Sequence, residues 1–151
     1  MTSTEIALLL NSTSEKITRI GEIIGKKIDK RDNFNDINEF EKTFIYIDIF
    51  ENHATEGGFK NFFWNSAGQF AHEILEAYET IGATNTATII YNSFLLFEEI
   101  PIPKNIDARR TIITKLKPET WDNLDKEFYN NKDNIMLLVI EFVKKNNVFF
   151  D

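Results

Sequence analysis

The chain has no cysteine, which excludes a disulfide framework, a thiolate metal site and a cysteine nucleophile. Proline and glycine are scarce, 3 and 6 among 151 residues, too few for the many tight turns of an all-β fold. Long hydrophobic runs are missing. The apolar stretch 6–10 is too short for a membrane span, and no basic segment precedes it as in a signal peptide. A cytoplasmic protein without membrane association is the expectation. Positive charge is in deficit, 17 Lys and Arg against 24 Asp and Glu, for a net charge of −7. That argues against direct nucleic-acid binding, which requires surplus cations to neutralise phosphates. There is no phosphate loop and no GxGxxG, and Ser66 and His72 form no nucleophile–base pair. His53 with Glu56, and His72 with Glu76, each place two metal-type ligands on one helix face, but no third or fourth ligand is matched to either pair. The expectation is a chain that is not an enzyme and holds no metal or cofactor.

What remains is rich in apolar and aromatic side chains, 42% and 13% of residues, with 14 Phe. That suffices for a sizeable core in one domain spanning 1–151. The pattern is helical nearly throughout. A capping box at Ser12 and Glu15 opens a helix with Ile17, Ile20, Ile24 and Ile28 on one face. Lys26, Lys27, Lys30 and Arg31 gather at its end, where cations suit the negative pole of the helix dipole. A second box at Asp36 and Glu39 opens an apolar helix carrying Phe40, Phe44, Ile47 and Phe50, which Gly57 and Gly58 end. Ser66 opens a third, with Phe70, Ile74, Tyr78 and Ile81 inward and Gly82 as terminator. A fourth covers about 85–99, and Pro101 and Pro103 break it. Short helices follow from about Asp107 and from Pro118, the latter with Trp121, Leu124 and Phe128. Asp133 is the expected cap of the last, and residues 148–150 carry a weak strand signal. The expected fold is all-α, with about six to seven helices.

Between the second and third helices lies EGGFKNFFWNSAG, residues 56–68. Phe59, Phe62 and Phe63 have the spacing of one helical face and are expected to plug the core beside the glycines, while Trp64 falls off that face. Asn65 and Ser66 are expected to satisfy backbone groups at the turn and to cap the next helix. This stretch resembles the DNA mimic protein 19-like family. The resemblance rests on Gly57-Gly58-Phe59, Phe62-Phe63, Asn65-Ser66, Gly68, then Ile81-Gly82-Ala83, and later Leu124-Asp125 with Phe128-Tyr129. It covers about residues 40–145. Three positions depart from the family pattern: Glu56 stands for Asn, Asn61 for Gln, and His53 for an upstream acid, unless Glu51 serves by a shift. The resemblance implies a helical fold and a partner that is a basic or DNA-binding protein, whose DNA-binding face an acidic surface would occupy. It also admits a homodimer, which would extend that surface.

The acidic residues are unevenly spread. Residues 41–83 carry seven acids and two bases, a net of −5. Glu73, Glu76 and Glu79 follow at three-residue steps opposite Phe70 and Ile74, and with Asp48, Glu51 and Glu56 they make the expected acidic ridge. Arg109, Arg110, Lys115 and Lys117 read as an exposed, acid-balanced helix. The leading reading is an acidic protein-binding module of the DNA-mimic type. The alternatives are an immunity or antitoxin-like protein that blocks a toxin, and a helical domain that binds a small molecule through the aromatic cluster.

Overall fold

The computed structural model describes residues 1–30 and 33–151, so Arg31 lies outside the described residues. Among these the protein is all-helical: eight α-helices and three short 3-10 turns, with no strand. The helices are α1 (Ser3–Ala7), α2 (Thr13–Gly25), α3 (Glu39–Trp64), α4 (Ala71–Thr80), α5 (Thr84–Phe94), α6 (Ile106–Thr114), α7 (Asp122–Tyr129) and α8 (Ile135–Lys145). The count exceeds six or seven because α1 forms over residues whose polar start hides a cap: the Thr2 hydroxyl accepts from Glu5 N, and the Glu5 carboxylate accepts from Thr2 N. Residues 147–149 form a 3-10 turn, not a strand.

The chain divides into two compact units, residues 1–45 with 134–151, and residues 46–133. In the first, α2 packs on α1 and α8, with Ile20 and Ile24 fully buried. The Ser12 hydroxyl caps α2 by accepting from Glu15 N at 3.1 Å. The box before α3 falls two residues later than Asp36 and Glu39. Asn38 accepts from Glu41 N at 2.9 Å, and Glu41 accepts from Asn38 N at 3.1 Å. Ile37 is buried among the apolar residues ahead of this cap, so the helix starts after it. Glu41 is itself buried and takes a 2.6 Å ion pair from Lys27, whose ammonium also donates to the Phe150 carbonyl. Lys27 thus serves a side chain and not the end of α2. Phe149 stacks on Phe40 at 4.2 Å, and the Asp151 carboxylate receives the Thr4 hydroxyl at 2.6 Å.

The second unit is organised by the glycine pair. Gly57 and Gly58 interrupt α3, and the helix restarts at once, so they bend it where the sequence suggests an end. Gly58 has φ +74° and ψ −166°, a region open essentially to glycine alone, where another residue is strained by about 1–3 kcal/mol. The restarted segment needs an N-terminal acceptor, and none is local. Asp125, from α7, provides it, accepting from Phe59 N at 2.9 Å. A Cβ on Gly58 would lie 2.6 Å from that carboxylate. The carbonyls left open before the break are met from two other places. Asn61 Nδ2 donates to His53 O at 3.1 Å, and the Tyr129 hydroxyl donates to Ala54 O at 2.7 Å.

The aromatic side chains close around this bend. Phe50 contacts Phe59, Phe62, Tyr78 and Phe128, and Phe63 contacts Phe94, Phe97 and Trp121, with ring centroids 4.8–6.4 Å apart. After the bend Asn65 donates back to Asn61 O at 2.7 Å and caps no following helix; neither does Ser66, which opens a 3-10 turn over Ser66–Phe70 ahead of α4. Gly82 ends α4 as expected. It has φ +82°, and Ala83 N reaches Tyr78 O while Gly82 N reaches Glu79 O, the paired bonds of a Schellman cap. α5 begins at Ala83, which has no capping side chain, and Asp133 meets it instead, accepting from Thr86 N at 2.8 Å. α8 is capped one residue later than expected, by Asn134, because Asp133 is committed to α5.

Arg109 departs furthest from its expected exposed position. It is fully buried, and its guanidinium donates to four carbonyls: Phe63 at 2.9 Å, Asn65 at 2.8 Å, Pro103 at 3.1 Å and Lys104 at 2.7 Å. These are the loose ends of the second α3 segment and of the proline loop. Gly68 is small for this reason, since a Cβ there would lie 2.7 Å from Arg109 Nε.

Four substitutions test this arrangement by chemical denaturation. Gly58→Ala combines that backbone strain with displacement of the Asp125 cap and should cost roughly 2–4 kcal/mol. Gly82→Ala meets the strain of a left-handed helix end but has open space around the added methyl, and should cost about 1–2 kcal/mol. Equal costs would mean that the Asp125 contact contributes nothing. Arg109→Met, which strands four carbonyls, should cost about 3–5 kcal/mol. Arg109→Lys should recover only part, because an ammonium cannot fork.

Candidate functional site

The acidic residues of 41–83 do not share one environment. Steps of three residues fall about 60° short of a helical turn, so Glu73, Glu76 and Glu79 wind around α4 and do not stack. Glu73 turns toward the proline loop, where Lys104 pairs with it at 2.7 Å and also donates to Gln69 O. Glu76 and Glu79 are exposed and make no ion pair among the described residues. Glu56 is exposed beside the glycine bend.

Asp48 and Glu51 are half-buried on α3. The Tyr78 hydroxyl, itself fully buried, donates to Glu51 at 3.0 Å. Burial raises the Asp48 carboxyl above its ordinary range. Burial also raises Glu51; the Tyr78 hydrogen bond opposes this in part, and the neighbouring Asp48 charge adds to it. Tyr78 is pushed well up, first by desolvation and then by Glu51. Tyr78 holds the Glu51 carboxylate, and both Glu51 and Asp48 are half-buried on α3 where the expected ridge would have them open. The acidic surface available to a partner therefore narrows to Glu76 and Glu79, with Glu56 apart from them in the chain.

The aromatic cluster is core. Phe59, Phe62 and Phe63 are at most 1% exposed. The ring surface that a small molecule would need there is filled by protein. Trp64 is the exception, 37% exposed, with the Arg110 guanidinium 4.9 Å over its ring and Arg110 Nε donating to its carbonyl. The family-motif residues Gly57, Gly58, Asn65, Gly68 and Gly82 are each placed at a bend, a cap or a close approach. Among the described residues no group of three or more His, Asp or Glu is placed to hold a metal ion. His72 Nε2 accepts from Ile102 N at 2.9 Å, and His53 stands against Phe62. No helix among the described residues is long and apolar enough to cross a membrane.

The sequence reading missed the surface of α5. The 18 residues between Glu79 and Glu98 carry no charge, in a chain where 27% of residues do. Tyr91 and Leu95 are exposed there, and an open groove of about 440 Å³ lies between α4 and α5, lined by Leu75, Glu79, Thr84, Ala87, Thr88 and Tyr91. The charge gap was visible in the sequence. Its coincidence with Glu79 required the antiparallel pairing of α4 and α5, seen where His72 meets Phe94 at 4.8 Å.

A bent central helix capped from a later helix, with carboxylates exposed on α4, defines an all-helical protein whose motif residues build the fold. The chain belongs to the family described as DMP19-like protein, whose family model matches residues 35–146. This is the family that the central motif resembles, and the match spans both the glycine bend and its Asp125 cap. No curated protein and no solved structure matches the chain significantly.

The half-buried carboxylates predict a pH dependence. Their folded-state pKa values are raised, so the protonated forms are favoured on folding and ionisation weakens the fold as pH rises through the raised values. Asp48→Asn and Glu51→Gln should each raise Tm at neutral pH. The gain should vanish as pH falls below the ordinary carboxyl range, where the native side chains are protonated in both states. A gain that persisted in acid would show that burial of charge is not its cause.

Proposed function

We propose that this chain is an acidic protein-binding module that occupies the basic, DNA-binding face of a protein partner, and that it is a cytoplasmic binding protein and not an enzyme. Membership of the DMP19-like family supports this reading. The observation that carries it is the pair Glu76 and Glu79, exposed and in no ion pair among the described residues, within the segment of net −5. Such carboxylates stand where phosphates would stand against a basic surface, and they accelerate encounter with it. A homodimer would extend the same surface.

The test is capture of partners from the native lysate at low and then high salt, with DNA as competitor. The expected partner is a DNA-binding protein that releases at high salt, because exposed charge contacts are screened within a Debye length of about 10 Å at 0.1 M. Glu76→Gln with Glu79→Gln should weaken it roughly two- to thirty-fold, at 0.2–1 kcal/mol per exposed contact. A salt-resistant toxin as sole partner would replace this reading with an immunity role. Affinity unchanged by the double substitution would remove the carboxylates from the interface.

A further inference from the structure

The groove between α4 and α5 adds a second chemistry to the same surface. α5 turns its buried side, Ala87, Ile90 and Phe94, into the unit. Its outer side shows Thr84, Asn85, Thr88, Tyr91, Asn92 and Leu95, with no charge among them. Tyr91 is 48% exposed and Leu95 58%, one turn apart. Large apolar side chains left in water on an uncharged face are what the core of a protein interface is made of. Depletion of charge with enrichment of aromatic residues distinguishes such a core from ordinary surface. The rim is acidic. Glu79 lines the groove directly, and Glu76 is exposed one turn earlier on α4.

The charge decides the occupant. A second copy laid on this face would bring Glu76 and Glu79 against carboxylates of the same kind. A basic partner meets them with opposite charge. We infer that the α4–α5 groove docks a basic helical segment of a partner, which inserts a leucine or aromatic side chain beside Tyr91 and Leu95 while its lysines and arginines face Glu76 and Glu79. This rests on the acidic-module reading and adds that carboxylates alone do not make the interface. A duplex of phosphates offers no such apolar anchor, so the contact selects among basic proteins for those with an amphipathic element next to their cationic one.

The test uses the full chain and two synthetic peptides of equal length and charge. One is an amphipathic helix with Lys and Arg on one face and Leu and Phe on the other; its companion has Gln in place of each Leu and Phe. Titration is followed by amide chemical shifts and by calorimetry. The amphipathic peptide should bind at least ten-fold more tightly than its companion, with shifts at Leu75, Glu79, Thr88 and Tyr91. Tyr91→Ser with Leu95→Ser should abolish that difference, and an unchanged Tm would show that these exposed side chains are dispensable to the fold. Glu76→Gln with Glu79→Gln should weaken both peptides.

Equal binding of the two peptides, shifts mapping elsewhere, or indifference to the Tyr91 and Leu95 substitutions would overturn the docking inference. If the glutamate substitutions still weakened binding, the acidic reading would survive that failure. Indifference to the glutamate substitutions, with the apolar ones still effective, would instead overturn the acidic reading. Sedimentation showing a dimer that the Tyr91 and Leu95 substitutions dissolve would assign the α4–α5 groove to a second copy and overturn the basic partner.

Discussion

A helix that bends at two glycines and restarts at once exposes a backbone N–H with no neighbour in sequence to receive it. The Asp125 carboxylate receives the Phe59 N–H across 66 residues. Much of the second unit follows from that bond. It fixes α7 against the bend, which brings Phe128 onto Phe50 and Phe59 and Tyr129 onto the open Ala54 carbonyl. Burial of the Asp125 carboxyl raises its pKa, with the Phe59 hydrogen bond opposing the rise, so the bond offsets part of a real desolvation cost. The same device recurs. Asp133 caps α5 across 47 residues, and Asp151 meets α1 at Thr4 across 147. Desolvation pushes Asp151 up, but the Thr4, Ser3 and Thr2 bonds together outweigh it and hold its carboxyl below the ordinary value. Three helix starts are thus tied to distant parts of the chain by single carboxylates.

Arg109 is the counterpart at the carbonyl ends. A helix segment as short as Phe59–Trp64 leaves most of its carbonyls unpaired. A planar guanidinium with five donors can satisfy several of them at once where an ammonium cannot. Burial lowers the pKa of Arg109, as does the adjacent Arg110, yet four carbonyl dipoles surround it in place of a carboxylate. The Phe63 and Asn65 carbonyls belong to the end of the second α3 segment, and those of Pro103 and Lys104 to the proline loop. One side chain therefore joins two irregular segments. The close approach requires Gly68, which is why a glycine stands two residues after the Asn65-Ser66 pair.

Seen through these contacts, the residues of EGGFKNFFWNSAG are largely structural, and the features that face a partner lie outside the stretch. The glycines make the bend, the phenylalanines fill the core behind it, and the asparagines bind carbonyls on either side. The exposed carboxylates of α4 and the uncharged outer face of α5 sit on the same scaffold without belonging to the motif. A fold can be held constant by its motif while such outward positions vary the partner.

Much of the helical order was legible in the sequence because periodicity, glycine and capping residues act locally. Ile20 and Ile24 of α2, Phe44 and Phe50 of α3 and the Gly82 terminator follow from contacts within a few residues and stand as the pattern implies, whereas α2 ends at Gly25 and leaves Ile28 beyond it. The burial of Phe59, Phe62 and Phe63 was legible for the same reason. The partners of Asp125, Asp133 and Arg109 were not, because one carboxylate or guanidinium reads alike whether it faces water or a helix end brought from elsewhere. The environments of the acidic residues were not legible either, because the half-burial of Asp48 and Glu51, the latter bonded by Tyr78, and the Lys104 pair of Glu73 depend on other elements. The sequence by itself determined an all-helical, acidic chain with a glycine-hinged aromatic core, since those properties come from composition and short-range spacing. Tertiary structure alone decided which charges became caps and which stayed in water, because that choice depends on which backbone groups the packed helices leave without partners.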